Sequence, residues 1–179
     1  MDEKKNGRTM CEVFGAYGWG EGLKLMKWIT DHMLVRGVNY FVPHAFSPKE
    51  FPDLDCPPHF YAHGKNPQFR YMKILNDYTN KISHLLTDGI HVAPVAVLYH
   101  GEAEWSGEYM LLQKPAKELM QNQIDFDILP TDILITSEIK DKKLIVNNES
   151  FSVLVIPYSE SLPKKLIEKL LVYLEAGFK

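Results

Sequence analysis

The chain has 179 residues, 45% of them apolar and 12% aromatic, which is enough to bury a sizeable core. A formal charge of −3 and a pI near 6.2 give no global pull toward nucleic acid or an anionic membrane. Cys11 and Cys56 have no CxxC partner, so they outline neither a disulfide framework nor a zinc site, and no apolar run approaches a membrane span.

Residues 10–17 (MCEVFGAY) read as a short buried strand running into a glycine-rich, aromatic loop. Residues 22–37 read as a helix. Leu25, Ile29 and Met33 recur at i, i+4 and i+8, Met26 and Trp28 widen the stripe, and Gly37 supplies the stop. Residues 38–46 (VNYFVPHAF) are apolar nearly throughout, as in a strand covered on both faces. The connection is long enough for a parallel crossover.

Residues 47–67 hold five of the eleven prolines and have no sustained periodicity. They read as a long structured loop, a feature often tied to function. From Gln68 the pattern is helical again, with Leu75, Tyr78, Ile82, Leu85 and Leu86 on one face and Gly89 beyond the end.

A second unit starts near His91. Residues 91–100 (HVAPVAVLYH) form a buried strand followed by the GEAEWSGEY loop. Residues 108–123 are mostly helix, kinked or divided by Pro115. IDFDILP is another strand. Residues 142–159 hold a short LIV strand, a turn at Asn147 and Asn148, and the strand FSVLVIP. Residues 163–177 are a helix with proline at its start and glycine at its end. The alternation indicates an α/β architecture. One strand–helix–strand unit is not a domain, and a sheet would ordinarily continue past Gly177. The chain is therefore expected to be a piece of something larger, with 1–90 ending one domain and 91–179 beginning another.

The stretch FGAYGWGEGLKLMKWITDHMLVRGVNYFVPHAF, with an acid before FGAYGW, a MKW helix leading to RGVN, a strand ending in PHAF and a PPH loop beyond, resembles bacterial glycoside hydrolases of the α-L-rhamnosidase type. It is also similar in layout to β-galactosidases that carry a barrel followed by an amidotransferase-like domain. VAVLYHGEAEW and VLVIPYSESLP resemble strands of that second domain. The resemblance implies the last strands of a (β/α)8 barrel followed by a truncated flavodoxin-like, class I amidotransferase-like domain. It further implies a fragment of a hydrolase acting on glycosidic bonds in plant or microbial polysaccharides, inactive alone. A carbohydrate substrate is the implied partner, without nucleic acid, membrane or cofactor. A homo-oligomer stays open, as does the compartment of a longer parent, secretion or periplasm included.

Glycosidic cleavage uses two carboxylates about the anomeric carbon, and in a barrel they sit at the C-terminal ends of strands. Glu12 matches the acid before FGAYGW and is the expected catalytic group; the alternative is a structural carboxylate holding a loop amide or an arginine. Tyr17 and Trp19 would offer flat apolar faces to a sugar, or else pack the rim. His44, closing the second strand, would bond a sugar hydroxyl, or else be a satisfied structural histidine. Asn39 opens that strand at the opposite end and reads as structural. His59 and His63 have no third ligand at recognisable spacing, so no metal site is expected. Glu102, Glu104 and Trp105 lie on the loop after a strand, where such loops can bind ligands, and read more simply as a surface loop docking on the barrel or on a neighbouring subunit. The second unit has no cysteine, which removes amidotransferase chemistry. The rival class is a non-catalytic α/β module for subunit contact or carbohydrate binding.

Overall fold

A computed structural model describes residues 7–89 and 91–179, which form two compact units on either side of position 90. In the first, strand β1 (Met10–Val13) leads through helix α1 (Leu23–Leu34) to strand β2 (Tyr40–Pro43), and a long loop follows before helix α2 (Met72–Leu86). β1 and β2 are parallel, with Glu12 opposite Val42 and Val13 opposite Pro43.

Helix α1 begins where Gln68 Oε1 accepts the Leu23 amide at 2.9 Å. It ends where Gly37 takes φ +85°, allowing the Gly37 and Val38 amides to return to Leu34 and Met33. Its buried face is Met26, Ile29, Thr30 and Leu34 with Met33 packed against the same core, so Met26, Ile29 and Met33 of the expected stripe face inward, while Leu25 and Trp28 are exposed. Thr30 can be buried at small cost because its hydroxyl bonds the Met26 carbonyl at 2.9 Å. Met26, Ile29, Val13, Phe14, Phe60, Met72 and Leu75 make the core. Leu85 and Leu86, expected on the same buried face of α2, are exposed.

The strand pair is not buried on both faces. Val13 is buried, and Cys11 and Phe41 pack against the helical core. Met10, Glu12, Tyr40 and Val42 are exposed on the other side. Alternation along a strand explains the division: every second side chain faces the helices, and the remainder form an open face.

In the second unit, β3 (Val95–Tyr99), β4 (Phe126–Pro130) and β8 (Val153–Val155) form a parallel sheet in the order β4-β3-β8. Helix α3 (Gln113–Gln121) connects β3 to β4. The return to β8 passes through helix α4 (Thr131–Thr136) and an antiparallel sheet of β5 (Glu138–Lys140), β6 (Lys143–Val146) and β7 (Glu149–Phe151). Helix α5 (Lys164–Glu175) ends the unit. Ala96 and Leu98 join Leu129, Leu134, Leu144, Phe151, Leu166 and Tyr173 in one core, and Val95 and Val97 are buried too. Pro115 neither kinks nor divides α3. It stands in the first turn, where its missing N–H costs nothing. Among the described residues no helix is long and apolar enough to cross a membrane.

Candidate functional site

The C-terminal end of the β1–β2 pair carries the glycine-rich loop after β1 and the start of the proline-rich loop after β2. Glu12 is the last residue of β1 on the open face, and its side chain is exposed. His44 follows β2. Its amide donates to the Val13 carbonyl at 2.8 Å, and its imidazole lies over Gly15, where a Cβ would stand 3.4 Å from Cγ. His44 Nδ1 is buried and has no hydrogen-bond partner among the described residues.

The two aromatic candidates differ. Tyr17 is 57% exposed. Trp19 meets Phe51 and His59 edge to face, at 5.5 and 5.7 Å between ring centres, and keeps 41% exposure. Trp19 therefore belongs to a packed joint between the two loops, which the Gly18 amide reinforces by donating to the Pro57 carbonyl at 2.8 Å. The structure ties His44 to the end of β1 and Trp19 to the long loop.

The long loop is built around Asp53 and His59. Asp53 accepts from the Ser47 hydroxyl at 2.6 Å and the Asp55 amide at 3.1 Å, and these bonds hold its carboxyl below the usual range. His59 is buried with Nε2 2.8 Å from the Asp55 carbonyl, and His63 Nε2 lies 3.0 Å from the Pro48 carbonyl. A ring nitrogen facing a carbonyl must carry the proton, so neither of these nitrogens is a metal ligand. Asn39 anchors the far end of the pair: its Oδ1 accepts from Thr9 N at 3.0 Å and its Nδ2 donates to the Gly7 carbonyl at 2.9 Å.

Two features lay outside the sequence reading. Glu21, in GWGEG just before α1, is 4% exposed, and neither carboxylate oxygen has a hydrogen-bond partner among the described residues. Burial pushes its carboxyl up to about 7. The available signal was an acid held between glycines at a helix start. The second feature is an aromatic surface. Phe46 stacks on Tyr61 at 5.6 Å with the planes 7° apart, and Phe69 closes on Tyr61 at 5.2 Å. All three rings are more than a third exposed, but their distance along the chain hides the grouping from sequence periodicity.

In the second unit Glu102 and Glu104 lie on a short helical turn, Gly101–Trp105, after β3. Glu102 accepts from the Thr131 hydroxyl at 3.3 Å and Trp105 is 87% exposed. His100 is buried with Nε2 2.9 Å from the Met110 carbonyl, a structural placement.

No protein-family model matches the sequence, and no curated protein matches it. Among solved structures, the chain is similar to the rhamnosidase from Novosphingobium sp. PP1Y, with a TM-score of 0.66 and 20% identity. The match covers 96% of this chain and 17% of that one, so the chain spans about a sixth of that protein's length and shares the fold of that portion.

Proposed function

We propose that the chain is part of a glycoside hydrolase of the α-L-rhamnosidase type. In this reading residues 1–90 supply the closing strands of a (β/α)8 barrel and residues 91–179 begin a flavodoxin-like domain. The open face of β1 and β2 is then the barrel interior, since the opposite face already carries the helices. The order β4-β3-β8 gives the second unit a 2-1-3 arrangement, which is how a flavodoxin-like sheet begins. The likeness in fold to a rhamnosidase over nearly the whole chain supports both assignments.

The observation that carries the reading is the position of Glu12: the last open-face residue of its strand, at the end where His44 stands. At the mouth of a barrel this is where a carboxylate meets the anomeric carbon. Glu12 would serve as one of the two carboxylates, the other coming from a strand outside 1–179. His44 would bond a sugar hydroxyl, and Tyr17 and the exposed edge of Trp19 would flank the C–H face of the ring. No cofactor enters.

The test is hydrolysis of 4-nitrophenyl α-L-rhamnopyranoside by a parent polypeptide that runs in frame into these residues from further strand–helix units. The parent should turn the glycoside over, and the 179-residue chain alone should not. Turnover by the isolated chain, or an upstream sequence with no such units, contradicts the proposal and favours a non-catalytic carbohydrate-binding module.

A further inference from the structure

We propose that the second unit carries a divalent-cation site formed by His91, Asp127 and Glu149, suited to a first-row transition ion such as Mn²⁺ or Zn²⁺. One ligand atom from each of the three lies within 4.8 Å of the others. His91 Nδ1 stands 3.5 Å from Asp127 Oδ2 and 3.8 Å from Glu149 Oε2. Tetrahedral bonds of about 2.1 Å put neighbouring ligand atoms roughly 3.4 Å apart, so side-chain adjustments of about an ångström bring the three onto one ion.

Two further observations favour a metal over a chance group of charges. The other ring nitrogen of His91, Nε2, lies 3.1 Å from Asp125 Oδ2. That carboxylate holds the Nε2 side of the ring and leaves Nδ1 as the nitrogen facing Asp127 and Glu149, where a bound ion would take the place of a proton, the carboxylate–histidine arrangement that orients a ligating imidazole. The three ligands also come from separate elements held by the fold. Asp127 lies within β4, paired with Ala96 of the central strand, while Glu149 opens β7 and His91 precedes β3. Side-chain exposures of 28%, 33% and 15% leave the cluster sheltered yet reachable by an ion.

One imidazole nitrogen with two carboxylate oxygens suits Mn²⁺ or Zn²⁺ better than Mg²⁺ or Ca²⁺, which favour all-oxygen shells. The position argues for a structural role. The cluster lies toward the N-terminal ends of β3 and β4, away from the strand ends where ligands of open α/β sheets bind. An ion there would pin the approach to β3, the start of β4 and the β6–β7 hairpin together. This inference is independent of the proposed glycosidase reading.

The test is titration of the chelator-treated 179-residue chain with MnCl₂ and with ZnCl₂ by calorimetry, together with Mn²⁺ line broadening of the histidine ring signals. The expected result is one ion per chain with a Kd on the order of 10 μM or tighter, selective broadening of His91, and a rise in the unfolding temperature of the second unit. His91→Ala and Glu149→Gln should each weaken binding about tenfold or more, whereas His84→Ala, on exposed α2, should leave it unchanged. Circular dichroism verifies that each variant is folded, and His91→Ala, at a partly exposed position before the sheet, serves if Glu149→Gln is not. Absence of saturable binding up to about 1 mM, or binding that His91→Ala leaves unchanged, overturns the proposal.

Discussion

The His44 amide bonds the Val13 carbonyl at 2.8 Å, one residue beyond Glu12, and this single contact extends the β1–β2 pairing past its last strand residue. It fixes the histidine at the end of the strand that carries the candidate acid. The open face is formed by side chains that alternation turns away from α1 and α2, with Glu12 the charged group amid Met10, Tyr40 and Val42.

Glu21 makes the stability of the first unit depend on pH. Its carboxyl is raised from 4.5 to about 7 by burial, so between these values the folded state holds a proton that the unfolded state has released. Stability therefore falls as pH rises from about 4.5 to 7, and above 7 the full cost, on the order of 3 kcal/mol, is present. Glu21→Gln should be nearly neutral at pH 4.5 and stabilise by about 2–3 kcal/mol at pH 8 in urea unfolding followed by Trp19 and Trp28 fluorescence. A loss of stability at pH 8 would mean that the ionised carboxylate is the favoured form.

The contact between α1 and α2 depends on Asp31. Tyr78 donates to Asp31 Oδ1 at 2.7 Å and Lys27 bonds Oδ2 at 2.6 Å, with its ammonium 4.5 Å from the Tyr78 ring centre. Burial opposes ionisation of Asp31, but the bonds from Lys27 and Tyr78 outweigh it and hold the carboxyl below its usual value. This contribution is present above the unfolded pKa of 3.8 and is lost as pH falls through the lower folded value. Tyr78→Phe should cost about 1–2 kcal/mol at pH 7 and less in strong acid. Equal losses at both would remove the hydrogen bond as the cause.

The second unit gives a packing test. Leu98 is fully buried on the central strand, whereas Leu174 on α5 is 64% exposed. Leu98→Ala should lower the stability of that unit by about 2–5 kcal/mol, and Leu174→Ala should change it by no more than about 0.5 kcal/mol. Hydrogen exchange of the β3 amides as a function of denaturant separates the two outcomes. A large loss at Leu174 would show that its face is covered.

Much of this architecture was legible because it rests on local rules. Gly37 stops α1, Pro163 and Gly177 bracket α5, and the apolar run around Val97 announces a strand covered on both faces. The misses have physical reasons. Thr30 is buried on α1 because a threonine can hide its hydroxyl on its own helix, which a purely apolar pattern does not register. Glu12 was expected in a buried strand, but a two-stranded ribbon with helices on one side leaves half its side chains open. His91, Asp127 and Glu149 converge only through strand pairing, which no local spacing foretells.

The most direct test is Glu12→Gln in the parent polypeptide, assayed with 4-nitrophenyl α-L-rhamnopyranoside. The substitution is isosteric and removes only one charge, so it should leave the unfolding temperature within about 2 °C. The predicted result is a fall in kcat of about 10³-fold or more with sugar binding retained. A kcat within about threefold of the unsubstituted enzyme would contradict the account, because the acid at position 12 would then take no part in bond cleavage.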